Sequence, residues 1–232
     1  MPELPEVETV VNQLKEAVLH KTITKLDVFD KRVIDASFKK HLPCRITDIQ
    51  RRGKWIVFQL DNKKSLLCHL RMTGHFQIND SSSKYCTGVY HLDDGTTLSY
   101  NTIRRFGNVK LYSDKKLNEK LNLLGAEPLE INANSFVESI KKYPSATIKN
   151  KLLDQSFLAG VGNIYAQEAL YHAKIHPQRN VGSVPTNKLK ALHKEIQRVL
   201  LLSIKNNGTT VDNFSHIDGK GDFQNLLAVY KQ

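Results

Sequence analysis

The sequence predicts an α+β chain with a β-sandwich or barrel in its first half and helices in its second. Three observations predict it. Apolar residues recur at helical spacing just after the amino terminus, short β-branched and aromatic runs fill the stretch from about Lys21 to Tyr112, and helical spacing returns beyond Leu117.

The first element is an amphipathic helix whose core-facing stripe is Val7, Val10, Val11, Leu14, Ala17 and Val18. Pro5 suits its first position, and Glu6 and Glu8 suit the positive end of its dipole. Strands follow at Trp55-Ile56-Val57-Phe58-Gln59-Leu60, Ser65-Leu66-Leu67-Cys68-His69-Leu70 and Thr96-Thr97-Leu98-Ser99-Tyr100. Asp61-Asn62 and Asp93-Asp94-Gly95 supply turn chemistry between such runs, so antiparallel hairpins are expected. Asp80-Ser81-Ser82-Ser83-Lys84 reads as an exposed, mobile polar loop. Gly125-Ala126-Glu127-Pro128 joins a helix stop to a proline where the periodicity changes, dividing the chain into residues 1–125 and 126–232. In the second part Leu189, Leu192, Ile196, Val199, Leu200 and Ser203 form a helical stripe, with Thr186 as its expected N-cap.

Composition narrows the partner. The chain has 34 Lys+Arg against 23 Asp+Glu, a formal net charge of +11, which favours a polyanion and nucleic acid first. An anionic membrane surface is the competitor. No run has the apolar length of a transmembrane span and the amino terminus is acidic, so a soluble cytoplasmic or nucleoid protein is expected. The three cysteines, Cys44, Cys68 and Cys86, have no CxxC spacing, and the histidines form no HxxxH or HExxH cluster. Neither a disulfide framework nor a metal site is expected.

Several groups can carry chemistry. Removal of Met1 would expose the nitrogen of Pro2 as a secondary amine, and an α-amino group with a pKa of about 7.7 to 8.0 is partly unprotonated near neutrality. Attack on a sugar C1′ would give a cationic iminium, the electron sink for strand cleavage by elimination. Glu3 is adjacent and able to shuttle protons. The plain alternative makes Pro2 an ordinary second residue and Glu3 a helix-start charge. Gly160-Val161-Gly162-Asn163 reads as a tight turn in which Asn163 caps a helix whose N–H groups face a phosphate, with Lys149 as a second phosphate contact if the chain folds as helix, two turns, helix. Met72, Arg104 and Phe106 offer apolar, cationic and stacking groups to fill the gap left by an extruded base, although core filling and a solvated face are their usual fates.

Four motifs in order, Pro2-Glu3-Leu4-Pro5-Glu6-Val7-Glu8-Thr9, Gln50-Arg51-Arg52-Gly53-Lys54, Arg104-Arg105-Phe106-Gly107 and Gly160-Val161-Gly162-Asn163-Ile164-Tyr165-Ala166, resemble bacterial formamidopyrimidine-DNA glycosylases. The similarity runs to about Tyr230 and includes Gly125-Ala126-Glu127-Pro128-Leu129, Ile175-His176-Pro177 and Gly208-Thr209-Thr210. It implies an amino-terminal β-sandwich with flanking helices and a helical domain with a helix–two-turn–helix motif. It also implies Pro2 as Schiff-base nucleophile, Glu3 as proton donor, Glu6 in the same acidic pocket, Lys54 on the lesion or its phosphate, Lys149 and Asn163 on phosphates, and Met72, Arg104 and Phe106 as the void-filling trio. Leu4 and the Arg-Phe pair favour the purine-lesion branch over the endonuclease VIII-like sister family, which more usually begins Pro-Glu-Gly-Pro-Glu.

Where the family continues from a Val-Tyr-Gly-Arg segment into four zinc-binding cysteines, this chain reads Val229-Tyr230-Lys231-Gln232. The resemblance therefore extends to a protein lacking the zinc finger and its arginine. Asp218-Gly219-Lys220-Gly221-Asp222-Phe223 is shorter than the family's lesion-recognition loop. The implied activity is a monomeric, cytoplasmic, nucleoid-associated glycosylase/AP lyase that removes 8-oxoguanine and formamidopyrimidines from damaged double-stranded DNA, without cofactor. The competing class is a non-catalytic or lyase-only damage-binding protein that has lost excision with its finger.

Overall fold

The computed structural model describes residues 1–209 and 223–230. Residues 218–222 of the expected recognition loop, and Thr210, lie outside the described residues. Helix α1 spans Leu4–Val18 and is followed by strands β1 (Thr22–Val28), β2 (Cys44–Arg52), β3 (Trp55–Leu60), β4 (Lys64–His69), β5 (Gly74–Ile78), β6 (Cys86–Leu92), β7 (Thr97–Thr102) and β8 (Asn108–Ser113). Helices α2 (Asp114–Leu121), α3 (Ala133–Ile140), α4 (Ile148–Leu153), α5 (Asn163–His172) and α6 (Thr186–Lys205) complete the chain.

The strands run in the order β5-β7-β6-β1-β2-β3-β4-β8, every pairing antiparallel. At the centre β1 and β2 share only the pairs Thr22↔Arg45 and Ile23↔Cys44. Four strands therefore lie on each side of a corner, and both sides contribute to one core. Phe58 of β3 meets Phe76 of β5 with ring centroids 5.8 Å apart, and Phe76 meets Tyr100 of β7 at 5.0 Å. The hairpins expected at Asp61-Asn62 and Asp93-Asp94-Gly95 are present as β3–β4 and β6–β7. In the polar loop Ser81, Ser82 and Lys84 are exposed, while the Asp80 carboxylate accepts the Ser82 N–H at 2.9 Å and Ser82 Oγ at 2.7 Å.

A second core gathers Phe136, Ile140, Ile148, Leu152, Tyr165, Ala169, Leu189, Leu192, Ile196 and Leu200. Helix α1 touches both cores. Its residues Val7, Val10, Val11, Leu14 and Val18 belong to the β core, whereas Leu4 belongs to the helical one. The first turn of α1 is thereby fixed at the seam between the two. Pro5 is the second helical residue rather than the first. Thr186 is likewise the first residue of α6 and Pro185 its N-cap; the Thr186 hydroxyl accepts a hydrogen bond from Lys141 Nζ at 2.6 Å instead of turning back on its own helix.

The seam is also latched by charge. Buried Glu127 accepts Arg51 Nη1 at 2.6 Å, Arg52 Nη1 at 2.8 Å and the Gly53 N–H at 2.7 Å. Arg51 Nε donates to Glu8 of α1 at 2.5 Å. The Gln50–Lys54 and Gly125–Leu129 motifs thus meet each other.

Candidate active site at the amino terminus

Glu3 is the N-cap of α1. A capping box with Glu6 closes this end, and the Glu3 N–H donates to Glu6 Oε2 at 2.8 Å. The Glu3 side chain reaches across the seam to the start of α5. Its carboxylate accepts the N–H groups of Gly162 at 2.7 Å, Ile164 at 2.9 Å and Tyr165 at 3.4 Å. These are the free donors of a helix amino terminus. The sequence expectation at this point is corrected: Gly162, not Asn163, is the N-cap, and Asn163 is the first helical residue. Its side chain is exposed and accepts Gln167 Nε2 at 2.8 Å, because the cap is supplied by a carboxylate from the other end of the chain.

Gly162 is required by close approach. A Cβ there would lie 2.4 Å from Glu3 Cδ and 2.7 Å from Lys54 Nζ. Lys54 sits on the turn between β2 and β3, is buried, and forms no ion pair with any carboxylate among the described residues. Burial lowers its pKa, while the charges of Glu3 and Glu6 act in the opposite direction. Burial raises the Glu3 carboxyl to about 7, and the Glu6 charge adds to the rise, whereas Lys54 and the N–H groups of Ile164 and Gly162 oppose it. Such a carboxyl is divided between acid and base at neutrality.

Sequence reasoning placed Glu6 in this pocket but missed that the buried Tyr165, Ser203 and Thr209 complete it. Glu6 accepts hydrogen bonds from the Tyr165 hydroxyl and from the N–H and Oγ1 of Thr209, the latter two at 2.9 Å. Tyr165 also bonds Ser203 Oγ at 2.6 Å. The visible signal was Ser203, a polar residue inside the apolar stripe of α6.

Met72 and Phe106 stand near the amino terminus. With Met1 and Arg71 they line an open pocket of about 440 Å³. Met72 is 42% and Phe106 64% exposed, which excludes core filling for both. Arg104 Nη1 donates to Met72 Sδ at 3.2 Å, and the Arg104 N–H donates to Thr73 Oγ1 at 3.1 Å, so the two tips form one unit. Gly107 closes this unit underneath, where a Cβ would lie 2.1 Å from the buried Tyr100 hydroxyl. His69, between these tips and Lys54, accepts the Arg71 N–H at Nδ1, and burial lowers its pKa to about 3, so the neutral ring keeps its proton on Nε2.

Lys149 lies apart from the amino-terminal cluster. It is half-buried on α4, in a second pocket of about 440 Å³ shared with Gln167, Lys174 and His176. The Lys149 N–H donates to the Pro177 carbonyl at 3.3 Å. Among the described residues no group of three or more His, Cys, Asp or Glu side chains is placed to hold a metal ion, and no helix is long and apolar enough to cross a membrane.

Residues 1–109 match the formamidopyrimidine-DNA glycosylase N-terminal domain, and residues 124–215 match the formamidopyrimidine-DNA glycosylase H2TH domain. The chain is 35% identical to the formamidopyrimidine-DNA glycosylase of Mycoplasma genitalium, over 99% of this chain and 85% of that protein. It is 38% identical to that of Lactiplantibacillus plantarum, over 99% of this chain and 88% of the other. A solved complex between the Lactococcus lactis Fpg and an abasic-site-containing DNA superposes with a TM-score of 0.91 at 30% identity, covering 98% of this chain and 88% of that one. A complex of the same bacterium's protein with a THF-DNA and an inhibitor gives 0.91 at 31% identity, covering 99% and 88%. The chain belongs to the formamidopyrimidine-DNA glycosylase family, whose members are DNA-repair enzymes.

Proposed function

We propose that this protein excises oxidised purines, 8-oxoguanine and formamidopyrimidines, from damaged duplex DNA and then cleaves the strand as an AP lyase. The observation that carries this reading is the placement of Glu3. A buried carboxyl with a pKa near 7 adjoins the nitrogen that becomes an amine when Met1 is removed. The Pro2 nitrogen attacks C1′ as the bond from C1′ to the base breaks, and the departing base takes the bonding pair. The ammonium proton passes to the departed base anion, and as the nitrogen lone pair opens the C1′–O4′ bond to form the iminium, protonated Glu3 gives its proton to the sugar oxygen. Lys54, buried beside the Glu3 and Glu6 carboxyls but forming no ion pair within 4 Å among the described residues, is available to a phosphate or the lesion.

Met72, Arg104 and Phe106 occupy the space of the extruded nucleotide, and Lys149 and Asn163 hold flanking phosphates. The division at residues 1–125 and 126–232 belongs to the same reading: a monomer clasps the duplex between its two cores, with the amino terminus at their seam. The experiment is borohydride trapping on duplexes containing 8-oxoguanine or an abasic site, with intact-mass measurement of the protein. The expected product is a covalent adduct on chain that begins at Pro2 and none on chain that retains Met1. Absence of adduct with protein lacking Met1 overturns the Schiff-base mechanism.

A further inference from the structure

The segment between β7 and β8 that carries Arg104 and Phe106 is exposed, yet its backbone is held. Arg105, between the two, has φ 53°. A non-glycine residue in this left-handed region persists only where its surroundings enforce it. Asp30 does so from 75 residues away, just beyond the end of β1. Arg105 Nη1 donates to Asp30 Oδ2 at 2.5 Å, and the Asp30 side chain is only 6% exposed. Asp30 is itself fixed by further bonds, and its carbonyl accepts the N–H groups of Val33 at 3.2 Å and Ile34 at 2.9 Å. The Arg32 N–H and Nε donate to its Oδ1 at 3.0 and 3.1 Å, and Arg32 Nη2 donates to its Oδ2 at 2.8 Å. The Asp30 N–H donates to the Thr87 carbonyl at 3.1 Å. The strained residue is thereby tied to the paired strands β1 and β6 in the interior of the strand order.

Arg104 is differently placed. Its guanidinium forms no ion pair among the described residues, and its bond to the Met72 thioether uses a weak acceptor. Among the described residues its remaining side-chain donors have no partner and are open to a ligand. An arginine that fills the space of an extruded nucleotide meets the hydrogen-bonding edge of the base left without a partner. The guanidinium fork is planar and rigid, so it separates bases by the placement of their acceptors only if the backbone beneath it is fixed.

We propose that Asp30 is a positioning residue for opposite-base discrimination: through Arg105 it holds Arg104 and Phe106 in one preset arrangement, so that the guanidinium accepts some widowed bases and rejects others. This inference rests on the reading that the Arg104–Phe106 tip enters DNA. Without Asp30 the tip relaxes out of its left-handed turn, Arg104 adapts to any base, and discrimination falls.

The test measures dissociation constants by fluorescence anisotropy for duplexes that carry a tetrahydrofuran abasic analogue opposite each of the four bases. The wild-type ratio of weakest to tightest is expected to be about tenfold or more, as one well-placed arginine fork supplies. Asp30→Asn and Arg105→Gln are each expected to shrink that ratio about fivefold, and the double variant to shrink it no further, because the pair acts as a unit. The ratio is internal to each protein, so a uniform affinity change from a lost charge does not move it. Arg105→Gln keeps the test available if Asp30→Asn fails to fold, since the Arg105 side chain is 47% exposed. Folded variants with an unchanged ratio, or a wild type with no discrimination, overturn this inference alone. A wild type that binds none of the duplexes overturns the glycosylase reading together with it.

Discussion

Glu3 experiences opposed influences whose balance is measurable without DNA. Burial and the Glu6 charge favour the neutral carboxyl, and Lys54 with the backbone N–H groups of Ile164 and Gly162 favours the anion; the outcome is a pKa moved from 4.5 to about 7. Between those two values the folded protein holds a proton that the unfolded chain has released. Stability therefore declines as the pH rises from about 4.5 to about 7 and is flat for this group outside that window. Glu3→Gln removes the titration, while Glu6 and Lys54, the charged groups facing it, remain. The difference in unfolding free energy between variant and wild type is expected to shift in favour of the variant across this window by a few kcal/mol. Urea unfolding at pH 5 and pH 8 checks it, and a pH-independent difference would mean that Glu3 is ionised throughout. The identity of Glu3 was legible from its place beside Pro2. Its burial and its bonds to residues about 160 positions away were not, because spacing rules report only neighbours along the chain.

Helix α5 shows why an element's boundary is hard to read locally. Its stretch Gly160–Asn163 carries an ordinary start signal, and the expectation of an Asn cap followed from that signal alone. The actual cap comes from Glu3, and Gly162 is needed because the Glu3 and Lys54 side chains occupy the position of its missing Cβ. Gly162→Ala should thus displace both Glu3 and Lys54. A misplacement near 1 Å costs on the order of 100-fold in rate, while overpacking costs about 1–3 kcal/mol of stability. Trapping rate and melting temperature measured on one preparation check this, and retained trapping would exclude the Glu3–Lys54 pocket as the reacting centre.

The latch obeys the same logic between elements. Glu127 pairs with two arginines and satisfies the Gly53 N–H, so Glu127→Ala leaves that buried N–H without its acceptor and the largely buried Arg51 side chain with Glu8 as its one carboxylate among the described residues, and is expected to cost about 3–5 kcal/mol in urea unfolding. A loss below about 1 kcal/mol would show the latch to be a solvated surface pair.

At the scale of the whole molecule, the alternation of β-rich and helical halves was legible because hydrophobic period is a property of the chain itself. The closing of the strands about a corner, and the sharing of α1 between two cores, arise from long-range pairing such as Thr22 with Arg45 and from Leu4 crossing to the helical side. Charge was legible in amount and not in place. Of the two phosphate contacts expected in the helical half, Lys149 shares its pocket with Lys174 and His176, whereas Asn163 lies at the foot of α5 beside the seam. The two should accordingly differ in salt response. Binding to a polyanion releases about 0.9 counterion for each phosphate neutralised, so the slope of log K against log salt counts charged contacts. A net charge of +11 makes a steep slope the expectation for wild type. Lys149→Ala is expected to reduce that slope by about one unit, and Asn163→Ala, which removes a neutral donor, to weaken binding with the slope unchanged. Anisotropy titrations from about 50 to 200 mM salt on one abasic-analogue duplex resolve a unit change across that range. An unchanged slope for Lys149→Ala would place its ammonium away from the DNA and leave its pocket with Lys174 and His176 to another role; a reduced slope for Asn163→Ala would mean that losing its bond to Gln167 disturbs a charged contact elsewhere on α5.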